Sequence, residues 1–121
     1  MKAHERLKSR KVIQQLFEKG KTFSCFPFRI LYLKTEKQLS PLQSAFSVST
    51  RHFKKSVDRN RIKRLMRESY RLQKNNLQAL LEQNHENLAV FFIYTGLELP
   101  EYELVFNKIG KAIRQVEKQL I

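Results

Sequence analysis

Residues 59–67 hold the densest group of side chains able to bind phosphate, in the order Arg-Asn-Arg-Ile-Lys-Arg-Leu-Met-Arg. Each Arg presents a planar fork of N–H donors that suits phosphate oxygens. The same run places Ile62, Leu65 and Met66 at the three-to-four spacing of one helix face. At about 100° per residue, the basic side chains cluster roughly 160° from this apolar face. The run therefore predicts a helix with one side for a core and one for a polyanion.

Net charge is concentrated around this basic helix. The 121 residues include 24 Lys and Arg against 11 Asp and Glu, a formal charge of +13. Residues 51–74 alone carry ten basic and two acidic side chains. Such a surplus repels itself unless it faces a polyanion, and nucleic acid is the commonest one. Charge alone leaves open a solvated basic helix and, less favoured because the chain lacks Trp, an acidic membrane surface.

The residue types of protein active sites are not grouped in this sequence. His4, His52 and His85 are far apart, and none has a second ligand at metal spacing. The three glycines stand apart, so no Gly-rich phosphate loop is present. The lone Cys25 excludes an internal disulfide and fits a reducing compartment. We expect a cytoplasmic binding protein that has neither catalytic residues nor a metal site of its own.

The N-terminal part of the chain predicts one short helix. Residues 1–8 are polar and basic and predict a loosely held tail. Residues 12–17 carry an apolar helical stripe, with Ser9 placed to cap the helix and Gly20 placed to end it. Phe17, at the end of the stripe, is either a core residue or an aromatic exposed for binding.

Three segments have the patterns of strands. Residues 23–34 are apolar on both faces, with Pro27 indicating an edge or a strand start. Residues 35–43 predict a loop, and residues 45–49 alternate as a half-buried strand does. Residues 88–94 form a continuous apolar run, typical of a buried strand and far too short to span a bilayer.

Two further helices complete the prediction. Ser56 or Asp58 could cap the basic helix, which either runs on or breaks near Asn75. A last amphipathic helix begins near Tyr102. The order predicts an α/β (α+β) two-layer sandwich, in one domain over residues 1–121, with a sheet covered by helices.

The basic run at residues 59–68 resembles the signature of the bacterial ribonuclease P protein subunit, a family known for its Arg-Asn-Arg core. Residues 6–8 with the helix to Phe17 resemble the opening of that family, and residues 46–49 resemble its central strand. Residues 88–94 and the closing helix also fall where the family has a strand and a helix. Ribosomal proteins are similarly charged but do not share this order of motifs.

The resemblance implies an α-β-β-β-α-β-α fold with a four-stranded sheet. A left-handed crossover joins the parallel strands on either side of the basic helix in that family. The resemblance also implies that a partner, ribonuclease P RNA with bound Mg²⁺, hydrolyses precursor tRNA to release its 5′ leader. The protein would be the non-catalytic subunit of this endonuclease, holding the leader in a cleft between the first helix and the sheet.

Site residues implied by the resemblance fall into two groups. Those matching the basic signature, and expected to face the catalytic RNA, are Arg59, Asn60, Arg61, Lys63, Arg64 and Arg67. Those matching the leader cleft are Ile13, Phe17, Ser49 and Arg51. On the first strand, the register leaves open whether Leu31 or Tyr32 faces the cleft.

Several positions depart from the family pattern. Ile13 stands where the family often has Phe, which favours apolar contact over base stacking there. Ala45 replaces a common Gly. Thr50 replaces a frequent Lys and His52 a common basic residue, so positive charge is locally lower beside the cleft.

Two other classes of function share part of this pattern. A structural ribosomal or RNA-assembly protein would share the charge and the fold but would need no substrate cleft. A reader of duplex DNA is disfavoured because a strand, not a partner helix and turn, precedes the basic helix. The sequence leaves open the class of the RNA partner, any leader sequence preference, the role of Asn60 in metal binding and the oligomeric state.

Overall fold

The computed structural model describes residues 5–36 and 40–120, which form a four-stranded sheet with helices on both faces. The elements are α1 (Arg10–Lys19), β1 (Lys21–Cys25), β2 (Phe28–Thr35), β3 (Leu42–Val48), α2 (Ser56–Gln73), α3 (Asn75–Gln83), β4 (Asn87–Tyr94) and α4 (Tyr102–Leu120). This arrangement confirms the predicted α/β sandwich. No helix among the described residues is long and apolar enough to cross a bilayer.

The sheet has the strand order β1-β2-β4-β3. β2 pairs antiparallel with both β1 and β4, whereas β3 pairs parallel with β4. The chain leaves β3, passes through α2 and α3, and returns as β4 beside the strand it left. The basic helix therefore lies in the crossover between two parallel strands, as the resemblance implied.

The segment predicted as a strand over residues 23–34 is a hairpin. β1 and β2 are separated by Phe26 and Pro27, whose peptide bond is cis. Pro27 has no N–H to donate to the ladder, so the strand ends before it and a new one starts after it. The prediction that a strand starts near Pro27 is confirmed. The prediction of one strand over residues 23–34 is wrong, because the segment contains two.

The larger core lies between the sheet and helices α2, α3 and α4. Ile62 and Met66 are fully buried, as the apolar face of the basic run predicted. Tyr70 is also buried, with its ring 5.5 Å from the rings of Phe46 and Phe92. Such packing fixes the roll of α2 about its axis, because its apolar side has one place to fit.

The ends of the helices follow the sequence in part. Ser9 caps α1, its Oγ accepting from the Val12 N–H at 3.3 Å, as predicted. Gly20 ends α1, and its backbone N–H donates to the carbonyl of Leu16 at 3.0 Å. The prediction of a Ser56 or Asp58 cap on α2 is wrong. Lys55 occupies the cap position without a side-chain bond.

Of the two alternatives that the sequence leaves open near Asn75, the structure shows the break. α2 ends at Gln73, Lys74 stands between the helices, and α3 begins at Asn75. The Lys74 N–H still donates to the Tyr70 carbonyl at 2.9 Å, so the two helices follow each other closely. α3 is an element additional to the three helices that the resemblance implied.

Residues 5–7 are held against the sheet, although the sequence predicts a loose tail over residues 1–8. Leu7 is buried, and its N–H donates to the Ser44 carbonyl at 2.9 Å. The Glu5 carboxylate lies 2.9 Å from the Lys74 ammonium, and both side chains are mostly buried. Residues 1–4, with His4, lie outside the described residues, as do residues 37–39 of the predicted 35–43 loop. β3 begins at Leu42, inside that predicted loop.

Candidate RNA interface

The solvent-facing side of α2 carries most of the side chains that the sequence predicts to contact a polyanion. We call it the α2 face, made up of Asn60, Arg61, Lys63, Arg64 and Arg67. All are exposed except Lys63, which is half-buried. Within the described part of the chain, none of the four cations has an acidic partner. The face therefore presents four uncompensated positive charges on a rigid helix.

Arg59 differs from the other basic residues of the run. Its side chain is half-buried, and Nη1 donates to the carbonyl of Phe53 at 2.8 Å and to that of Lys54 at 2.7 Å. These bonds brace the segment between β3 and α2. The structure therefore gives Arg59 a structural contact that its place in the basic run did not predict.

The uncompensated charge of α2 ends before Arg71. The Arg71 guanidinium lies 2.6 Å from the Glu68 carboxylate, one turn earlier on the exposed side of the helix. This hydrogen bond lowers the pKa of Glu68 and raises that of Arg71. Both groups stay charged and balance each other, so this turn contributes little to the field of the helix.

The opposite side of the sheet carries a smaller apolar cluster. Leu16 of α1 is fully buried there against Leu31 and Ala89 of the sheet, with Leu7 at the margin. Tyr32 points the other way, into the larger core. The sequence left open which of Leu31 and Tyr32 faces α1, and the structure places Leu31 of β2 on that side.

Phe17 is an exposed aromatic beside this cluster. Its side chain is 54% exposed, and its ring lies 5.6 Å from that of Phe91 in an edge arrangement. The alternative that Phe17 belongs to the core is therefore wrong. Ile13, one turn earlier, is half-buried against the cluster, as apolar contact requires.

Strand β3 extends this surface beyond α1. Ala45 pairs with Phe91 and Ser47 with Ile93 in the parallel register, and all four side chains are half-buried. We call the group Ile13, Phe17, Ala45, Phe91 and Ile93 the Phe17 surface. It offers an aromatic and apolar platform that α1 leaves partly uncovered.

The other two residues predicted for the leader cleft follow the end of β3. Ser49 is half-buried, and its carbonyl accepts from the Phe53 N–H at 3.1 Å in the turn that follows. Arg51 lies in this turn with its side chain exposed. Both residues therefore stand where the edge strand leads into the loop that Arg59 braces.

Phe91 was not singled out from the sequence. It lies in the apolar run 88–94, where every residue is hydrophobic and both faces look alike. The pairing in the sheet separates them, placing Phe92 in the larger core and Phe91 beside Phe17. An alternation of polar and apolar residues would have shown which of the two Phe residues faces each side. This strand has no such alternation because helices lie on both sides of the sheet.

Comparison with known proteins agrees with this arrangement. A family model described as Ribonuclease P matches residues 1–117. The ribonuclease P protein component of Porphyromonas gingivalis strain W83 is 34% identical over 93% of this chain and 82% of its own length. That of Chlorobium phaeobacteroides is 32% identical over 96% of this chain and 87% of its own.

Solved structures show the same fold. The RNase P protein of Staphylococcus aureus has a TM-score of 0.69 and 20% identity, covering 97% of both chains. That of Thermotoga maritima has a TM-score of 0.70 and 22% identity, covering 92% of this chain and 96% of its own. With the family model matching nearly the whole sequence, the chain belongs to the ribonuclease P protein family.

Proposed function

We propose that the two surfaces serve two RNAs: the α2 face binds ribonuclease P RNA, and the Phe17 surface binds the 5′ leader of precursor tRNA. The observation that supports this division is the position of the two surfaces on opposite sides of one sheet. Ile62 and Met66 fix α2 to one side, while Leu16 fixes α1 to the other. An RNA held on one side therefore leaves the other side free for a second.

The α2 face supplies charge at fixed positions. Arg61, Arg64 and Arg67 are exposed and unpaired, so they can exchange bound water and counterions for phosphate oxygens without breaking a protein contact. Such binding releases counterions and falls steeply with salt. It also sets the orientation of the protein on the RNA, since several phosphates are engaged by one rigid helix.

The Phe17 surface supplies contacts of another kind. An exposed aromatic stacks on any base, because every base has a π-face, and such stacking contributes about 1 to 3 kcal/mol. The Phe17 ring packs against Phe91 at a steep angle and its side chain is 54% exposed, which leaves ring surface for a base. Ser49 and Arg51 would contact the leader backbone beyond the platform. A single strand can be held there without strict sequence preference.

We assign the chemical step to the RNA subunit. Mg²⁺ prefers oxygen ligands and keeps several waters, a requirement that RNA phosphates meet. Among the described residues of this chain there is no group of three or more His, Cys, Asp or Glu side chains that could hold a metal ion. The residues of the protein would bind and orient the two RNAs, and the RNA with its Mg²⁺ would hydrolyse the phosphodiester. We place this activity in the cytoplasm.

Reconstitution tests the proposal. The purified chain is added to ribonuclease P RNA at low magnesium, and release of the 5′ leader from precursor tRNA is followed. We expect the chain to stimulate release, and a variant with Arg61→Ala and Arg64→Ala to need a higher protein concentration for the same rate. Absence of stimulation with a cognate RNA would contradict the proposal and favour a structural RNA-assembly role.

A further inference from the structure

A second group of cations lies on α4, outside the α2 face. Lys108, Lys111 and Arg114 line a depression of about 320 Å³ between α4 and the C-terminal end of α2, which contributes Gln73. Lys111 and Arg114 are exposed, and Lys108 is half-buried. The charge of the sequence does not indicate this group, because residues 75–121 contain six acidic side chains against four basic ones.

Among the described residues, those that line the depression include no acidic side chain. The ion pairs in the described residues involve other cations: Lys34 with Glu86, Arg71 with Glu68 and Lys74 with Glu5. Glu117, three residues after Arg114, accepts a hydrogen bond from the Asn76 side chain at 2.8 Å. The three cations on α4 are therefore uncompensated and carry a local positive field.

The depression is tied rigidly to α2. The Gln73 amide donates to the Ser69 carbonyl of its own helix at 3.0 Å and to the Phe106 carbonyl of α4 at 2.9 Å. Gly110 allows this approach, because a Cβ there would collide with the Gln73 side chain. The cations of α4 therefore keep a fixed spacing from those of the α2 face.

Side chains around the cations suit a nucleic acid. Leu104 and Phe106 provide apolar area within the depression, and Asn107 adds an amide that can donate or accept. Lysine, arginine and amide side chains are among the groups that donate hydrogen bonds to phosphate and sugar oxygens. A protein partner would need acidic residues opposite these cations, whereas RNA supplies negative charge at every nucleotide.

We propose that Lys108, Lys111 and Arg114 form a second phosphate-binding surface for ribonuclease P RNA, so that the RNA contact extends from α2 onto α4. The inference rests on the proposed function and adds a contact to it. The catalytic RNA is the occupant, because α4 packs in the same core as α2, on the side of the sheet opposite Phe17. A leader held on the Phe17 surface lies across the sheet from these cations.

Charge reversal on α4 tests the proposal. Lys111→Glu is compared with Lys118→Glu, which changes the same charge on an exposed residue of the same helix outside the depression. Dissociation constants for ribonuclease P RNA are measured over a range of salt. We expect Lys111→Glu to weaken binding about tenfold or more and to reduce the salt slope by about 1, as loss of a phosphate contact does. Lys118→Glu should change affinity by about twofold at most, through net charge alone.

The remaining outcomes separate the possibilities. Equal weakening by the two variants, or no weakening by Lys111→Glu, would overturn the inference while leaving stimulated leader release, and hence the proposed function, intact. Failure of the unmodified chain to stimulate release would overturn both. Lys111→Gln, which removes charge without adding any, guards against misfolding, and its urea unfolding curve should match that of the unmodified chain. We expect its affinity to lie between those of the unmodified chain and Lys111→Glu.

Discussion

The α2 face and the Phe17 surface are built in opposite ways. All residues of the α2 face come from about two turns of one helix, where the helical period separates charged from apolar side chains. The Phe17 surface takes its residues from α1, β3 and β4, which come together only in the folded sheet. One surface is therefore local in sequence and electrostatic, and the other is composite and aromatic.

This difference has consequences for binding. The contacts proposed for the α2 face would depend on salt and act at a distance, whereas the stacking proposed for Phe17 would act only at close range. Changes on one surface should leave the other intact, since the sheet lies between them. Each prediction below tests one side of this comparison.

Loss of charge on α2 should have the largest effect. We expect the double variant Arg61→Ala, Arg64→Ala to weaken binding of ribonuclease P RNA by at least about a hundredfold, since two hydrogen bonds to charged groups, worth about 1.5 to 3 kcal/mol each, together contribute about 3 kcal/mol or more. The slope of log affinity against log salt should fall by about 2. Binding is measured by titration at several salt concentrations. Arg71→Ala serves as the control because Arg71 is paired with Glu68. Equal losses of affinity in the double variant and in Arg71→Ala would contradict the distinction between unpaired and paired cations on α2.

Removal of the exposed aromatic should have a smaller and more selective effect. Phe17→Ala should weaken binding of leader-bearing precursor tRNA to the assembled enzyme by about 2 kcal/mol, the middle of the range for a stacked base. Mature tRNA has no leader and should bind as before. The two affinities are compared directly, with Phe17→Tyr expected to retain both. If Phe17→Ala weakens both tRNAs equally, Phe17 has no specific role toward the leader.

Arg59 sharpens the boundary of the α2 face. Because its Nη1 holds two backbone carbonyls, Arg59→Gln should lower the free energy of unfolding by about 1.5 kcal/mol, as loss of hydrogen bonds from a charged group does. Arg61→Gln, on the exposed side of the same helix, should change it by less than about 0.5 kcal/mol. Urea unfolding of both variants measures this. An unchanged free energy of unfolding for Arg59→Gln would contradict the structural role given to Arg59.

Tyr70 tests the packing that holds α2 on the sheet. Burial raises the pKa of Tyr70, whose hydroxyl is also hydrogen-bonded to Ser44. The unfolded chain therefore ionises this tyrosine first, and stability that is complete below about pH 10 is lost as the pH rises through the folded pKa. Tyr70→Phe should make this decline shallower by at most about 1.4 kcal/mol per pH unit. Some decline should remain, because burial also raises the pKa of Tyr32 and of Tyr94. The free energies of unfolding of both proteins are measured in urea at pH 8 and pH 10.5. An equal decline with pH in Tyr70→Phe and in the unmodified chain would contradict the prediction.

The sequence predicts the α2 face well and the Phe17 surface poorly for a physical reason. Ile62 and Met66 mark the buried side of a helix through spacing alone, so the exposed side follows from residues in the same run. Phe91 and Phe92 are identical in type and adjacent in sequence, and only pairing across the sheet decides which one lies beside Phe17. The bond from Arg59 to the loop also depends on how the chain turns before α2, which composition does not encode.

The strand order determines when the strands can pair during synthesis. β4 is central in the sheet and pairs with both β2 and β3, yet it is the last strand to leave the ribosome. Until residues 87–94 emerge, the β1–β2 hairpin and β3 have no partner in common, and two strand edges stay unpaired. The basic helix is therefore synthesised before the complete sheet on which it packs has formed. We expect its cations to be displayed on a nascent chain whose sheet has yet to close.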